Sequence, residues 1–250
     1  MFWRVMRNMR LWRRVARNSR RFGSLCFVTL VAVSSGAASE NGALPQTDSS
    51  PHREIERIGE GRFRIGNIVL DKTSQTLRLP AQVNMQKGII ELVACSSGGK
   101  LHESLFLAHV EPYHLHLALL LLGLNHKGGV RFQGDGTQPE GDRVVIFVER
   151  DGRRQRVERY IWDIPRKATM EPTGWVFTGS KFVDGQFGAQ LTRTLITTYR
   201  DPYTILDNPL PTGADDTVYE VNSQVTPSVG TTVTLVIRPQ KSCRAEGEKQ

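Results

Sequence analysis

The chain has 250 residues, with 33 basic side chains against 25 acidic ones and a formal charge of +8. That length allows one or two domains and a sizeable core. Eight of the arginines lie in the first 21 residues, which hold no acid, so the remainder balances 25 basic against 25 acidic residues and carries no general case for nucleic-acid binding.

The order of the N-terminus is that of a secretory leader. An arginine-rich stretch is followed by the apolar run Phe22 to Val33 and then by small residues up to Ser39. The apolar run is shorter than the roughly 18–20 residues that span a bilayer. Residues 1–38 are therefore read as a signal peptide, with an uncleaved anchor as the alternative and the only route to a membrane. Residues 39–61 are polar, include Pro45 and Pro51, and read as a flexible linker. Residues 62–240 read as one β-rich domain, and 241–250 as a polar tail.

Within the domain, Phe63 to Leu70 and Thr76 to Val83 have strand-like runs of Val, Ile, Leu and Phe on either side of a polar turn. Gly88 to Cys95 and Ser104 to Val110 are read as an antiparallel pair. Pro112 to Leu122 is the one clear helix, with proline in its first turn and Gly123 as the stop. It is apolar nearly all round, which predicts burial on several sides. Arg143 to Arg150 and Arg153 to Trp162 flank Asp151-Gly152, a strong hairpin signal. Trp175 to Phe182, Leu191 to Tyr199, Val218 to Asn222 and Thr231 to Arg238 complete the strands. The expected fold is α+β: mostly antiparallel sheet with one central buried helix.

Chemistry concentrates between Cys95 and Gly123, which holds four of the six histidines. In the antiparallel pairing Cys95 stands opposite His102, with Cβ atoms ~4.5–5.5 Å apart. Three readings follow. Cys95 is a packed thiol; or Cys95 and His102, with a histidine of the helix, hold zinc or copper; or Cys95 is a nucleophile whose thiolate is favoured by His102 and Lys100, with Gly98-Gly99 offering backbone N–H groups to an oxyanion. His114 and His116 point about 200° apart on a helix, so only one of them joins such a site. After leader removal Cys95 and Cys243 are the cysteines left, too few for a four-cysteine iron–sulfur cluster. A disulfide between them is open, although Cys243 lies in the polar tail.

Two other groups stand out. Arg150, Arg153, Arg154 and Arg156 crowd the Asp-Gly hairpin, either as a solvated charged hairpin or as a patch for anionic polymers or lipid headgroups. Asp201, Asp207, Asp215 and Asp216 recur in a proline-rich loop, where turn formation competes with calcium ligation.

The sequence Cys95, Gly98-Gly99-Lys100, His102-Glu103-Ser104, Pro112, Leu115-His116 and Gly123 resembles the YdjY-like family of exported bacterial proteins. The runs Trp175 to Ser180 and Gly230 to Val236 match as well, and the likeness covers roughly Arg62 to Pro239. The resemblance implies export to the periplasm or envelope. It selects His116 over His114 and makes Cys95, Lys100, His102, Glu103 and Ser104 the residues to watch. It leaves Cys243 without a place. A ferredoxin-like label attached to the family is opposed by the cysteine count. The function expected is a non-enzymatic module that binds an envelope protein or small ligand; the alternatives are a zinc or copper site at Cys95, His102 and His116, or a cysteine-dependent enzyme using Cys95 and His102.

Overall fold

Thr76–Val83 alternates buried and half-exposed positions along its whole length, and this period of two is the signature of a strand with one face in a core. The computed structural model describes residues 55–240. The leader, the first part of the linker and the tail with Cys243 lie outside the described residues. Strands β1 (Ile55–Gly59), β2 (Arg62–Ile65), β3 (Ile68–Asp71) and β4 (Thr76–Val83) form an antiparallel meander. Strands β5 (Leu92–Ser96) and β6 (Ser104–Ala108) precede helix α1 (Pro112–Leu121). Two hairpins follow, β7 (Arg143–Arg150) with β8 (Arg153–Arg156), and β9 (Ile161–Asp163) with β10 (Ala168–Thr169). Next come β11 (Trp175–Phe177), the short hairpin β12 (Phe182–Val183) and β13 (Gln186–Phe187), and helix α2 (Gly188–Thr192). Strands β14 (Thr194–Thr197), β15 (Leu206–Asp207), β16 (Tyr219–Val221) and β17 (Thr232–Pro239) end the domain.

Eight strands close into a barrel in the order β4-β17-β7-β11-β15-β14-β5-β6, and β6 returns to β4 through Ala81↔Ala108 and Val83↔Phe106. A barrel of this strand number is just wide enough to be filled by side chains. The register stacks Leu79, Leu235 and Val148 in one row and Leu77, Ile237 and Ile146 in the next, all buried. Closure also leaves these strands without an open edge. The β-rich, mainly antiparallel expectation stands, and the closed barrel is an addition to it.

Three expectations change. The run Phe63 to Leu70 is two strands, reversed at Gly66-Asn67, where Gly66 takes φ 53 and the His114 ring lies where a Cβ would project. Ile55–Gly59, inside the stretch read as linker, pairs with β2. Helix α1 begins and ends as expected, with Gly123 at φ 84, but its burial is uneven. Pro112, Leu115, Ala118 and Leu119 face the core, Tyr113 and Leu120 face solvent, and the helix packs on β3, β14 and α2. Strand side chains fill the centre, so the helix is a lateral cover rather than a central element.

The two sides of α1 should respond differently to truncation. Leu119→Ala removes a fully buried side chain and should cost about 2–5 kcal/mol in denaturant unfolding. Leu120→Ala, on the exposed face, should cost under about 1 kcal/mol.

Candidate functional site

Strands β5 and β6 run parallel, with Leu92↔Ser104, Ala94↔Phe106 and Cys95↔Leu107 in register. The antiparallel pairing expected from the sequence is therefore overturned. Both directions satisfy the same apolar pattern, but a parallel pair requires the chain to travel back before the second strand starts. Ser97 to Glu103 makes that return. Gly98 takes φ 84, the Gly99 amide donates to the Ser96 carbonyl at 3.0 Å, and a short 3-10 turn covers Leu101–Glu103. Asn84 Nδ2 ties the return down by donating to the carbonyls of Leu101 at 2.5 Å and Ser104 at 2.7 Å.

The expected Cys95–His102 opposition does not form. Cys95 is a free, fully buried thiol paired across the sheet with Leu107 and Thr194. Gly99 closes over it, so near that a Cβ at residue 99 would stand 3.0 Å from the Cys95 Cβ. Burial pushes the thiol pKa up, with Ser104 opposing by a hydrogen bond. His102 points to solvent, its Nε2 3.0 Å from Glu103 Oε1. His116 lies elsewhere, with ring centroids 5.2 Å from His126, 5.5 Å from Phe177 and 5.1 Å from Phe187. Its Nδ1 is buried without a partner among the described residues, and burial, aided by the charge of His126, lowers its pKa to about 4. Among the described residues no three His, Cys, Asp or Glu side chains converge as a metal-ligand set. The trio Cys95, His102 and His116 is thus not assembled as a zinc or copper site.

What the return segment does assemble is a polar cluster. Lys100 Nζ sits 2.6 Å from Glu91 Oε2 and 3.3 Å from Glu103 Oε2. The Ser104 hydroxyl donates to the Lys100 carbonyl at 2.8 Å, which fixes the turn that carries the lysine. Glu91 is clamped by its backbone: its N–H donates to the Glu103 carbonyl at 3.0 Å, and its carbonyl accepts from Thr198 and Tyr199 at 2.8 and 3.1 Å. Side-chain exposure rises from 16% at Glu91 and 27% at Glu103 to 40% at Lys100 and 75% at His102, so the cluster opens on one side. Burial and the hydrogen bond to Glu103 raise the Glu91 pKa, against the pull of Lys100. Glu103 is held below its ordinary value: burial works against this, but the hydrogen bond from Glu91 and the charge of Lys100 outweigh it. Of the two carboxyls Glu91 is thus the weaker acid and Glu103 the stronger.

A family model for the YdjY domain matches residues 68–238. The chain belongs to the YdjY family. No curated protein and no solved structure shows a significant match. Within the YdjY domain, Lys100, His102, Glu103 and Ser104 all act on the one cluster, whereas Cys95 and His116 are packed away from it.

Sequence reasoning missed Glu91, whose role depends on the parallel pairing and has no local signal. It also missed the role of Asp207. Of the loop aspartates, Asp201 and Asp215 do shape turns by accepting from the amides of Tyr203 at 2.8 Å and Thr217 at 2.9 Å. Asp207 is different. It is fully buried in β15, its Oδ1 accepts from Thr197 Oγ1 at 2.9 Å and the Asn208 amide at 2.8 Å, and its Oδ2 has no partner among the described residues. Buried Arg200 does not pair with it but donates to the carbonyls of Asn208, Asp135 and Leu210.

Burial pushes the Asp207 carboxyl up to about 7. Because this folded-state value is raised, its contribution to stability is full below about pH 4 and is lost as the pH climbs towards 7. In Asp207→Asn the amide oxygen keeps both acceptor roles. Between pH 4 and 8 the wild type should lose a few kcal/mol of unfolding free energy relative to that variant; parallel curves for the two proteins would contradict the assignment.

Proposed function

We propose that this YdjY protein is exported to the periplasm or cell envelope and works there as a non-enzymatic binding module, holding a protein or small polar ligand at the Glu91–Lys100–Glu103 cluster. The observation that carries the reading is the convergence of Lys100, His102, Glu103 and Ser104 on one solvent-reachable cluster held by backbone hydrogen bonds. Such a site is set in advance of binding, which limits the ordering cost of taking up a ligand. It offers the ligand an anionic acceptor at Glu103, and the ring of His102 beside it.

The leader-like N-terminus supports export, and the balanced charge of the remainder supports a partner other than nucleic acid. No helix among the described residues is long and apolar enough to cross a membrane. A cysteine-dependent enzyme is disfavoured by the burial of Cys95 and by its raised pKa, which keeps the nucleophilic thiolate scarce at neutral pH.

Cell fractionation with N-terminal sequencing tests export. The expected product is an envelope or periplasmic chain beginning near residue 39; a full-length chain confined to the cytosol contradicts the proposal. For binding, envelope extract is passed over immobilised wild type and Glu103→Gln. A species retained by the first should be lost from the second at unchanged melting temperature, and equal retention removes the cluster as the site. Native Cys95 should react with iodoacetamide at least about tenfold more slowly than the unfolded chain; rapid labelling of the folded protein would reopen the enzyme reading.

A further inference from the structure

A second polar site lies on the outer wall of the barrel, in a groove that shares no residue with the Glu91 cluster. Register places it. Arg62 and Thr76 both stand opposite Asp71, and one row further Arg78 stands between Val69 and Val236. Arg238 follows Val236 on the same face of β17. Arg154 reaches in from β8 and shares Glu149 with Arg78, through bonds of 2.8 and 3.1 Å on its own side. These strands enclose about 280 Å³, just under the roughly 300–1,000 Å³ usual for small-molecule sites. The size suits one small charged group rather than a long polymer.

The charges in the groove do not balance. Four guanidinium groups face two carboxylates, Asp71 and Glu149, leaving an excess of two positive charges. Glu149 is already engaged by Arg78 and Arg154, and Asp71 Oδ1 accepts from the Ser74 amide at 2.9 Å. Among the described residues neither Arg62 nor Arg238 has an ion pair or a side-chain hydrogen bond. Ser74 Oγ and Thr76 Oγ1 lie 2.8 Å apart, and the Ser74 side chain also hydrogen-bonds Asp71, so these hydroxyls are engaged within the groove wall and the arginines are what it offers to a ligand. Of the hairpin arginines singled out in the sequence, Arg154 lines the groove, whereas Arg150 pairs with Asp151 and Arg156 with Glu158 and neither of these two enters it.

We propose that this groove binds a phosphomonoester. Two guanidinium forks that make no ion pair among the described residues, and an excess of two positive charges, complement a phosphate that carries about −1.5 to −2 at pH 7. Val69 supplies the one apolar wall, against which the carbon skeleton of the ester packs. Planar forks match the oxygen spacing of phosphate, which a lysine-lined groove would not do as well.

The probe is glycerol 3-phosphate, titrated calorimetrically at low salt into the wild-type chain and into Arg62→Gln, Arg238→Gln and Arg150→Gln. Saturable one-to-one binding is expected. Each groove variant should weaken it about tenfold, as loss of a charge-assisted hydrogen bond does, and Arg150→Gln should leave it unchanged. Melting temperatures report whether the variants remain folded; neither groove arginine has an ion pair among the described residues, so little change is expected. The source of the ester is resolved by flotation with vesicles containing phosphatidic acid. Capture that is lost in the Arg62→Gln/Arg238→Gln double variant and competed by glycerol 3-phosphate assigns a lipid headgroup. Binding of the soluble ester without capture assigns a free metabolite. Absence of saturable binding in both arms, or an equal loss in Arg150→Gln, overturns the proposal.

Discussion

The direction in which β5 runs beside β6 governs both the barrel and the site. A parallel pair obliges the chain to travel back along the wall between the strands, and Ser97 to Glu103 does so. The return brings Lys100 and Glu103 down to the start of β5, where Glu91 waits. Had the strands formed a hairpin with Cys95 opposite His102, the turn would lie at the far end of β5. Four residues of extended strand would then separate Glu91 from the lysine, about 13 Å. The cluster thus follows from topology. The same pairing leaves the other side of β6 available to β4, and this contact closes the barrel.

Closure also explains the electrostatics. With the inward positions of β4, β7 and β17 occupied by aliphatic side chains, charge is displaced to the outer face, where alternate residues of neighbouring strands meet in rows. Beyond residue 38 the chain is near neutral, yet its charges are sorted: acids and one lysine at the Glu91 cluster, an arginine excess on the wall formed by β2, β3, β4, β8 and β17. Net charge, read alone, conceals this. The buried thiol of Cys95 and the neutral imidazole of His116 belong to the packed interior and neighbouring aromatic layer, where low polarity holds both in their uncharged forms.

Much of the fold is legible in the sequence wherever a strand or helix carries its own signal. β4 alternates in residue type, β7 is a short run of β-branched and aromatic residues, Asp151-Gly152 adopts positive φ at both positions as a tight hairpin requires, and α1 has a proline at its start and a glycine at its stop. Pairing direction is not legible, because a period of two serves parallel and antiparallel neighbours alike. Barrel closure is hidden for the same reason, and β11 and β15 are too short to show any period. The apolar circumference of α1 misleads: Leu120 and Tyr113 are exposed although nothing in their type says so. At the site, Lys100, His102, Glu103 and Ser104 emerge from the resemblance to the YdjY family, while Glu91 becomes meaningful only once the return segment is laid beside it. Cys95 drew the eye by rarity and proves to be packing.

The most direct measurement is the set of nuclear Overhauser contacts between backbone protons of β5 and β6. The account predicts close contacts for Leu92 with Ser104 and for Ser96 with Ala108, as two strands pointing the same way require. Contacts of Val93 with Ser104 and of Cys95 with His102 would instead describe a hairpin, and would remove both the barrel closure and the cluster that depends on it.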